Sequence, residues 1–352
     1  MNKYKILKDQ YVKVCGKKLY RIQALKDFAR AKAGDIGGYI ESESNLSQYD
    51  NAWVHGNARV HGNARVCDDA QVCDDAQVSD DARVSNDARV SGNAWVYGNA
   101  WVHGDARVCD DAQVCDDAQV SDDAKVYGNA WVSDDARVCG DAQVSDDARV
   151  YGNAQVSDDA RVYGNARVHG DARVHGNAWV YGDARVCDDA QVSDDAQVYG
   201  NAWVSDDARV SNDAWVYGNA QVYGDAWVHG DARVCDDAQV YGNAWVHGNA
   251  QVYGNAWVHG NARVCGDAQV SGTRHYLNLG PIGSRDGYTT IYRDKNRKAM
   301  VICGCFSGNL DDFERAVRKT HAGTKYEAEY MALIQLARLR EKEWLENGRD
   351  ST

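Results

Sequence analysis

An all-β parallel solenoid is the fold class predicted by three features of the chain. Between Ala52 and Gly272 one six-residue unit recurs without interruption: Ala, a variable residue, Val, one of Ser, Cys, His or Tyr, and a pair drawn from Gly, Asp and Asn. Thirty-seven such units run in succession, the first starting at Ala52 and the last at Ala268. In each, Ala and Val alternate with outward residues, the period of two of a short strand with one buried face. The closing pair then turns the chain, because Gly, Asn and Asp tolerate left-handed backbone and hydrogen-bond locally. A short strand and a corner every six residues wind a parallel β-helix.

The spacing of Val54 to Ala58 and of Val60 to Ala64 resembles the hexapeptide repeat of left-handed β-helices. That resemblance covers about two thirds of the chain and implies three units per triangular coil, so that residues eighteen apart stack. About twelve coils follow. The slot after Val offers a separate test, since sorting it by eighteen gives three columns. Tyr127, Tyr163, Tyr181, Tyr199, Tyr217 and Tyr253 share one column, Tyr97, Tyr151, Tyr223 and Tyr241 a second, and the third holds only Cys, Ser and His. An eighteen-residue coil explains that sorting.

Both ends of a solenoid expose strand edges that need cover. Residues 1–51 read as an N-terminal cap: Tyr11 to Ile22 forms a hairpin turning near Gly16, and Ala33 to Ile40 leads into degenerate coils. Ile40 and Leu46 fall on the Ala register and Ile36 on the Val register. Residues 52–272 are the array. Residues 273–352 read as a ββαα segment, a cap or docking module, with strands over Tyr288–Tyr292 and Ala299–Cys303 joined at 294–296. Its helices are expected over Leu310–Thr320, with Asn309 as N-cap, and Tyr326–Leu345, broken at Ala322-Gly323.

The formal net charge of −13 is unevenly placed: residues 1–51 carry +4, the array −20 and residues 273–352 +3. Such a rod repels phosphates, which disfavours direct nucleic-acid binding by the array. Eight of eleven cysteines share a slot with Ser, His and Tyr, which argues for thiols rather than disulfides. The N-terminal residues lack an apolar core of signal-peptide length, and no stretch approaches a membrane span, so a cytoplasmic protein without membrane contact is expected.

Outward aromatic residues carry the functional expectation. Ten tryptophans occupy the slot between Ala and Val and are expected on the surface, among them Trp179, Trp215, Trp227 and Trp245. Beside them Tyr163, Tyr181, Tyr199 and Tyr217 are expected to form an unbroken ladder. Exposed Trp and Tyr mixed with Gln, Asn, Asp and Arg suit protein partners. They equally suit glycans, whose apolar sugar faces stack on rings. The plainer reading is that the rings only stack on one another and shield the strands. These eight residues are the candidate binding set.

No catalytic residue, metal ligand or cofactor is assigned. His55, His61, His103, His169, His175, His229, His247 and His259 all occupy outward slots that Ser or Tyr fill in neighbouring units. A general base needs a dedicated setting. No two array cysteines are eighteen apart, although His229 and His247 are. Cys303 and Cys305 alternate on an expected strand with His321 later, which reads as a buried strand pair ahead of a Cys/His catalytic pair.

The hexapeptide resemblance implies an acyl- or acetyltransferase as the alternative function, with a trimer, an acyl donor between rods and a histidine base. The flanks, Ala33 to Ile40 with Asn45-Leu46-Ser47 and Gly280 to Arg285 with Gly304-Cys305-Phe306, resemble those of uncharacterised hexapeptide proteins of gut bacteria and phages. That implies a phage or prophage accessory protein. An acidic DNA mimic is a further alternative, diluted by fifteen basic side chains in the array. The reading reached is a non-enzymatic, rigid, acidic rod that binds or spaces a protein or glycan partner.

Overall fold

The computed structural model describes residues 2–29 and 31–346. It is an all-β parallel solenoid with an N-terminal hairpin and a small C-terminal sheet carrying two helices. The chain divides into two compact units, Met1–Asp183 and Ala184–Thr352.

In the first unit the array strands are two residues long, the variable residue and Val, and each pairs in parallel with the strand eighteen residues on. Trp95 thus lies opposite Gln113, and Gln113 opposite Trp131. Every array Ala and Val is buried, almost all at 0% exposure, so the interior consists of two methyl-bearing residue types. The eighteen-residue return predicted from the tyrosine columns is the observed register.

Corners take the left-handed conformation that the Gly/Asp/Asn pair was expected to supply. The first residue of the pair has positive φ, as in Asp68 (62°) and Gly98 (70°). Where that residue is Asp and the corner one coil on begins with Gly or Asn, its carboxylate accepts that corner's N–H, as Asp68 does from Asn86 (3.1 Å) and Asp110 from Gly128 (3.2 Å). The second residue builds another column: Asn129 Nδ2 donates to Asp147 at 3.1 Å. Much of the array's acidity is therefore corner hydrogen bonding, a role apart from imitation of a phosphate backbone.

The N-terminal hairpin is longer than predicted, pairing Tyr4–Val14 with Lys17–Ala24 around a Cys15-Gly16 turn. Its second strand pairs antiparallel with Ile36–Ile40, which in turn pairs in parallel with Arg59–Val60. The first array edge on that face is thereby covered. The register of the degenerate coil differs from expectation. Ile40 lies opposite Val60 and Leu46 opposite Val66, twenty residues apart, so both occupy the Val position and Ile36 is exposed. Two extra residues between Ser47 and Asn51 produce the slip. Gly38 then takes the Ala position, where an added Cβ would stand 2.6 Å from the Ala58 carbonyl oxygen. Lys3 is buried beneath this cap, donating to the Ala52 carbonyl (2.7 Å) and to Asp50 (3.3 Å).

In the second unit the array continues the same strand and corner pattern to Gln269–Val270. A four-stranded antiparallel sheet follows, Tyr276–Ile282, Gly287–Arg293, Ala299–Cys303 and Phe306–Asn309. Its two outer strands were not anticipated. Helices α1 (Leu310–His321) and α2 (Lys325–Glu346) fall where predicted, and Asn309 caps α1 by accepting the Asp312 N–H. Phe313, Val317, Tyr330, Leu333 and Ile334 pack with Ile291 and Val301 into a conventional core. The strand Gly287–Arg293 satisfies the open end of the array: Thr290 Oγ1 accepts the Arg263 N–H at 2.9 Å, and Arg293 Nε donates to the Gln269 carbonyl at 3.0 Å.

Candidate functional site

The outward slots form regular columns because every variable residue repeats its position each coil. Tryptophan exposure varies more than expected. Trp95, Trp101, Trp131, Trp203, Trp245 and Trp257 are exposed, Trp179, Trp215 and Trp227 are half-buried, and Trp53 is buried at 7%. Trp53 departs from the prediction because the N-terminal cap lies over it, with Phe28 and Tyr4 against its edges at 5.2 and 6.4 Å.

Most of the other rings are held by a contact that links adjacent coils. The indole N–H donates to the slot side chain sixteen residues earlier: Trp101 to Ser85 Oγ (3.1 Å), Trp131 to Cys115 Sγ (3.1 Å), Trp203 to Cys187 Sγ (3.0 Å) and Trp227 to Ser211 Oγ (3.2 Å). Trp179 and Trp215 instead follow a Tyr in that slot and meet Tyr163 and Tyr199 edge to face. Arginines cover several indoles: Arg161 over Trp179 (5.2 Å), Arg233 over Trp215 (4.9 Å) and Arg263 over Trp245 (5.1 Å). Each such contact contributes about 0.5–1 kcal/mol at an exposed site.

The tyrosine column supplies flat stacks within each unit. Tyr163 and Tyr181 lie 4.9 Å apart and parallel within 1°, and Tyr199 and Tyr217 5.0 Å apart within 3°. Trp227 and Trp245 meet edge to face at 5.3 Å. The eight residues singled out from the sequence thus fall into ordered ring clusters, one set in each unit. Part of each ring's area is spent on its neighbours, and Trp245 is the most exposed of the four tryptophans in the set.

Burial governs several of the cysteine and histidine slots. All eleven cysteines are free thiols. Burial, followed by the hydrogen bond and charge of the adjacent corner Asp, pushes Cys67 up to about 11, and burial with Asp74 pushes Cys73 up to about 12. Thiols so raised are poor nucleophiles. Burial lowers the imidazoles of His61, His103, His229 and His247 below their ordinary value. His229 and His247 stack at 5.0 Å. Among the described residues, no three His, Cys, Asp or Glu side chains converge as a metal site.

In the C-terminal segment the expected strand pair is not formed. The strand ends at Cys303, Gly304 turns with φ 58°, and Cys305 stands exposed in the turn. Cys303 is half-buried, taking a hydrogen bond from Thr289 Oγ1 at 3.1 Å and lying 3.7 Å from Tyr330 Oη. His321 packs on Tyr330, and both cysteines and His321 line one largely apolar cavity of about 290 Å3.

A polar knot at the end of the array was not visible in the sequence. Ser271 Oγ lies 2.9 Å from His275 Nδ1, Arg293 Nη1 3.3 Å from Nε2, and Arg293 Nη2 donates to Ser271 Oγ at 3.2 Å. Burial first, and the Arg293 guanidinium second, hold His275 down to about 4, with Glu343 opposing. The folded value lies below the unfolded one, so between pH 6.5 and 4 the native state binds fewer protons than the unfolded chain. Stability from this knot is complete above about pH 6.5 and is lost as pH falls through that window. Hydrogen exchange over residues 271–276 should accelerate across the same interval, and His275→Gln should flatten the dependence.

The fold and surface together define a parallel β-solenoid with patterned aromatic columns. Twelve segments of the array match the YdcK Beta solenoid repeat family: 76–90, 88–104, 118–134, 142–158, 154–170, 160–176, 190–206, 196–212, 204–218, 214–230, 232–248 and 250–266. No curated protein matches the chain significantly. Among solved structures, the chain is similar to the UDP-N-acetylglucosamine acyltransferase of Francisella novicida at 13% identity, over 50% of this chain and 66% of that one, with a TM-score of 0.29. It is similar to the Arabidopsis enzyme of the same description at 12% identity, over 82% and 89%, with a TM-score of 0.27. At such scores no activity passes from those enzymes to this chain. No helix among the described residues is long and apolar enough to cross a membrane.

Proposed function

We propose that the protein is a non-enzymatic solenoid that binds a protein or glycan partner through its outward aromatic columns. In this reading residues 1–51 cap the array, 52–272 present the binding columns, and 273–352 form a cap or docking module. A cytoplasmic phage or prophage accessory protein is the biological form, and self-association through the tyrosine-free column is compatible with it. The carrying observation is the order of the rings: Tyr163 on Tyr181, Tyr199 on Tyr217 and Trp227 against Trp245, held outside a closed Val/Ala interior. Rings fixed in this way lose little conformational entropy on binding.

The test compares the intact protein with a Trp179→Ser, Trp215→Ser, Tyr199→Ser variant, on a glycan array and as bait for mass-spectrometric identification of bound proteins. A species retained by the first and weakened about tenfold or more by the second, with unfolding by circular dichroism little changed, is the expected result. Unchanged retention transfers recognition to residues 273–352.

Acyl transfer is the second reading, and one observation favours it. His103 has Nδ1 3.4 Å from the Val120 carbonyl oxygen and its ring against Trp101 at 4.2 Å, an oriented imidazole that burial keeps neutral. Turnover of acetyl-CoA or an acylated carrier protein, lost in His103→Ala, establishes that reading in place of the first.

A further inference from the structure

We propose that a cavity in the first unit, between Trp131 and Tyr151, binds a carboxylated sugar unit of the uronate type. The proposal rests on the reading that outward slots bind a partner, and it narrows that partner to an acidic glycan at one place. The cavity, about 210 Å3, is lined by Trp131, Ser133, Arg149, Tyr151 and Arg167. Trp131, Arg149 and Arg167 are successive rungs of one column. Neighbouring rungs stand about 4.8 Å apart, which brings two guanidinium groups to the same opening.

Both ring walls are braced. The Trp131 N–H is engaged by Cys115 Sγ, and the ring remains 40% exposed with Arg149 above it at 5.8 Å from the centroid. Tyr151 stacks on His169 at 4.8 Å and 14°. The charge of the lining sets this cavity apart in an array of net charge −20. Three other array cavities each include aspartate, through Asp81, Asp146 and Asp69 respectively, whereas this one holds two arginines and no carboxylate. The nearby corner acids are engaged elsewhere: Asp134 accepts the Gly152 N–H, Asp146 the Gly164 N–H, and Asp147 the Asn129 amide.

Those features select the ligand by chemistry. Two guanidinium forks match a carboxylate bidentately, as two lysines would not. The Trp131 and Tyr151 rings in the lining receive the apolar C–H face of a sugar, and Ser133 offers a hydroxyl partner. A neutral sugar leaves two like charges without a counter-charge, and a bare inorganic anion leaves both rings uncovered. A uronate ring carries the carboxylate and the apolar face together.

Calorimetry and tryptophan fluorescence with a trigalacturonate, its methyl ester and free galacturonate provide the test. The acid trisaccharide should bind about tenfold or more tighter than the ester, and weaken as ionic strength rises. Arg149→Gln with Arg167→Gln should erase the preference for the acid, and Trp131→Ser should weaken both ligands. Free galacturonate binding as well as the trisaccharide assigns one subsite, and weaker binding assigns a longer chain along the column. Equal binding of acid and ester, no binding of either at millimolar concentration, or an undiminished double arginine variant overturns the proposal. If the uronates fail while another partner still depends on Trp179, Trp215 and Tyr199, only this site assignment falls. If both fail, the binding reading falls with it.

Discussion

Replacing Val132 by Asp is expected to destroy local order in the first unit while leaving distant coils folded. Val132 is fully buried, with Val114 and Val150 on its neighbouring rungs. A carboxylate there meets only valine and alanine methyls, and an unpaired buried charge costs about 4–5 kcal/mol or more before it protonates. Each coil touches mainly its neighbours, so the damage spreads over adjacent rungs rather than through the array. Hydrogen exchange read by mass spectrometry should show lost protection over residues 112–152, with residues 36–72 retaining theirs. Val132→Ala removes only methyl groups and should cost about 1–3 kcal/mol. Uniform deprotection from Val132→Asp would show that the unit melts as one body instead.

A second large effect separates fold from surface. Deleting residues 142–147 removes one hexapeptide, and the interior accepts the cut because every unit presents the same Ala and Val. The columns do not accept it. Downstream residues rotate by one face, so Gln155 takes the rung above Trp131 in place of Arg149. Thermal unfolding should shift by only a few degrees, about the cost of one repeat, while uronate binding falls by about tenfold or more. Deleting residues 76–93, one full coil, preserves the columns and should leave binding intact. Unfolding caused by the single-hexapeptide deletion would contradict the interchangeability of units.

The array was legible because its two interior residue types recur at a fixed spacing and its corners use the few residues that tolerate positive φ. Even the eighteen-residue coil showed, through the sorting of tyrosines into columns. The ends were harder. The two-residue slip after Ser47 moved Ile40 and Leu46 from the Ala to the Val position, and Gly38 occupies the place a strict period gives to Ile40. In the strand Tyr276–Ile282 the brief alternation of Leu277 and Leu279 is cut short by Gly280-Pro281, and Phe306–Asn309 is mostly Ser, Gly and Asn, so neither carries a sustained alternating apolar signal. Antiparallel pairing with Gly287–Arg293 and Ala299–Cys303 makes them strands.

The candidate site was legible as residue types and less so as geometry. Outward Trp and Tyr could be named, but whether a ring stands free depends on the side chain sixteen residues earlier and the arginine one coil away. Trp53 lost its exposure to Phe28 and Tyr4, which no periodicity connects to it. The absence of carboxylate from the cavity lining that Arg149 and Arg167 share was equally hidden, because aspartates are abundant in the neighbouring sequence and the corners engage them in hydrogen bonds of their own.

The indole hydrogen bond to the slot sixteen residues back also bears on inheritance. Four tryptophans find an acceptor because the earlier slot holds Ser or Cys, as Ser85, Cys115, Cys187 and Ser211 do, and others find an edge-on ring there. Outward slots in such an array are therefore coupled in pairs, and a unit moved to a new place brings its ring but leaves its acceptor behind.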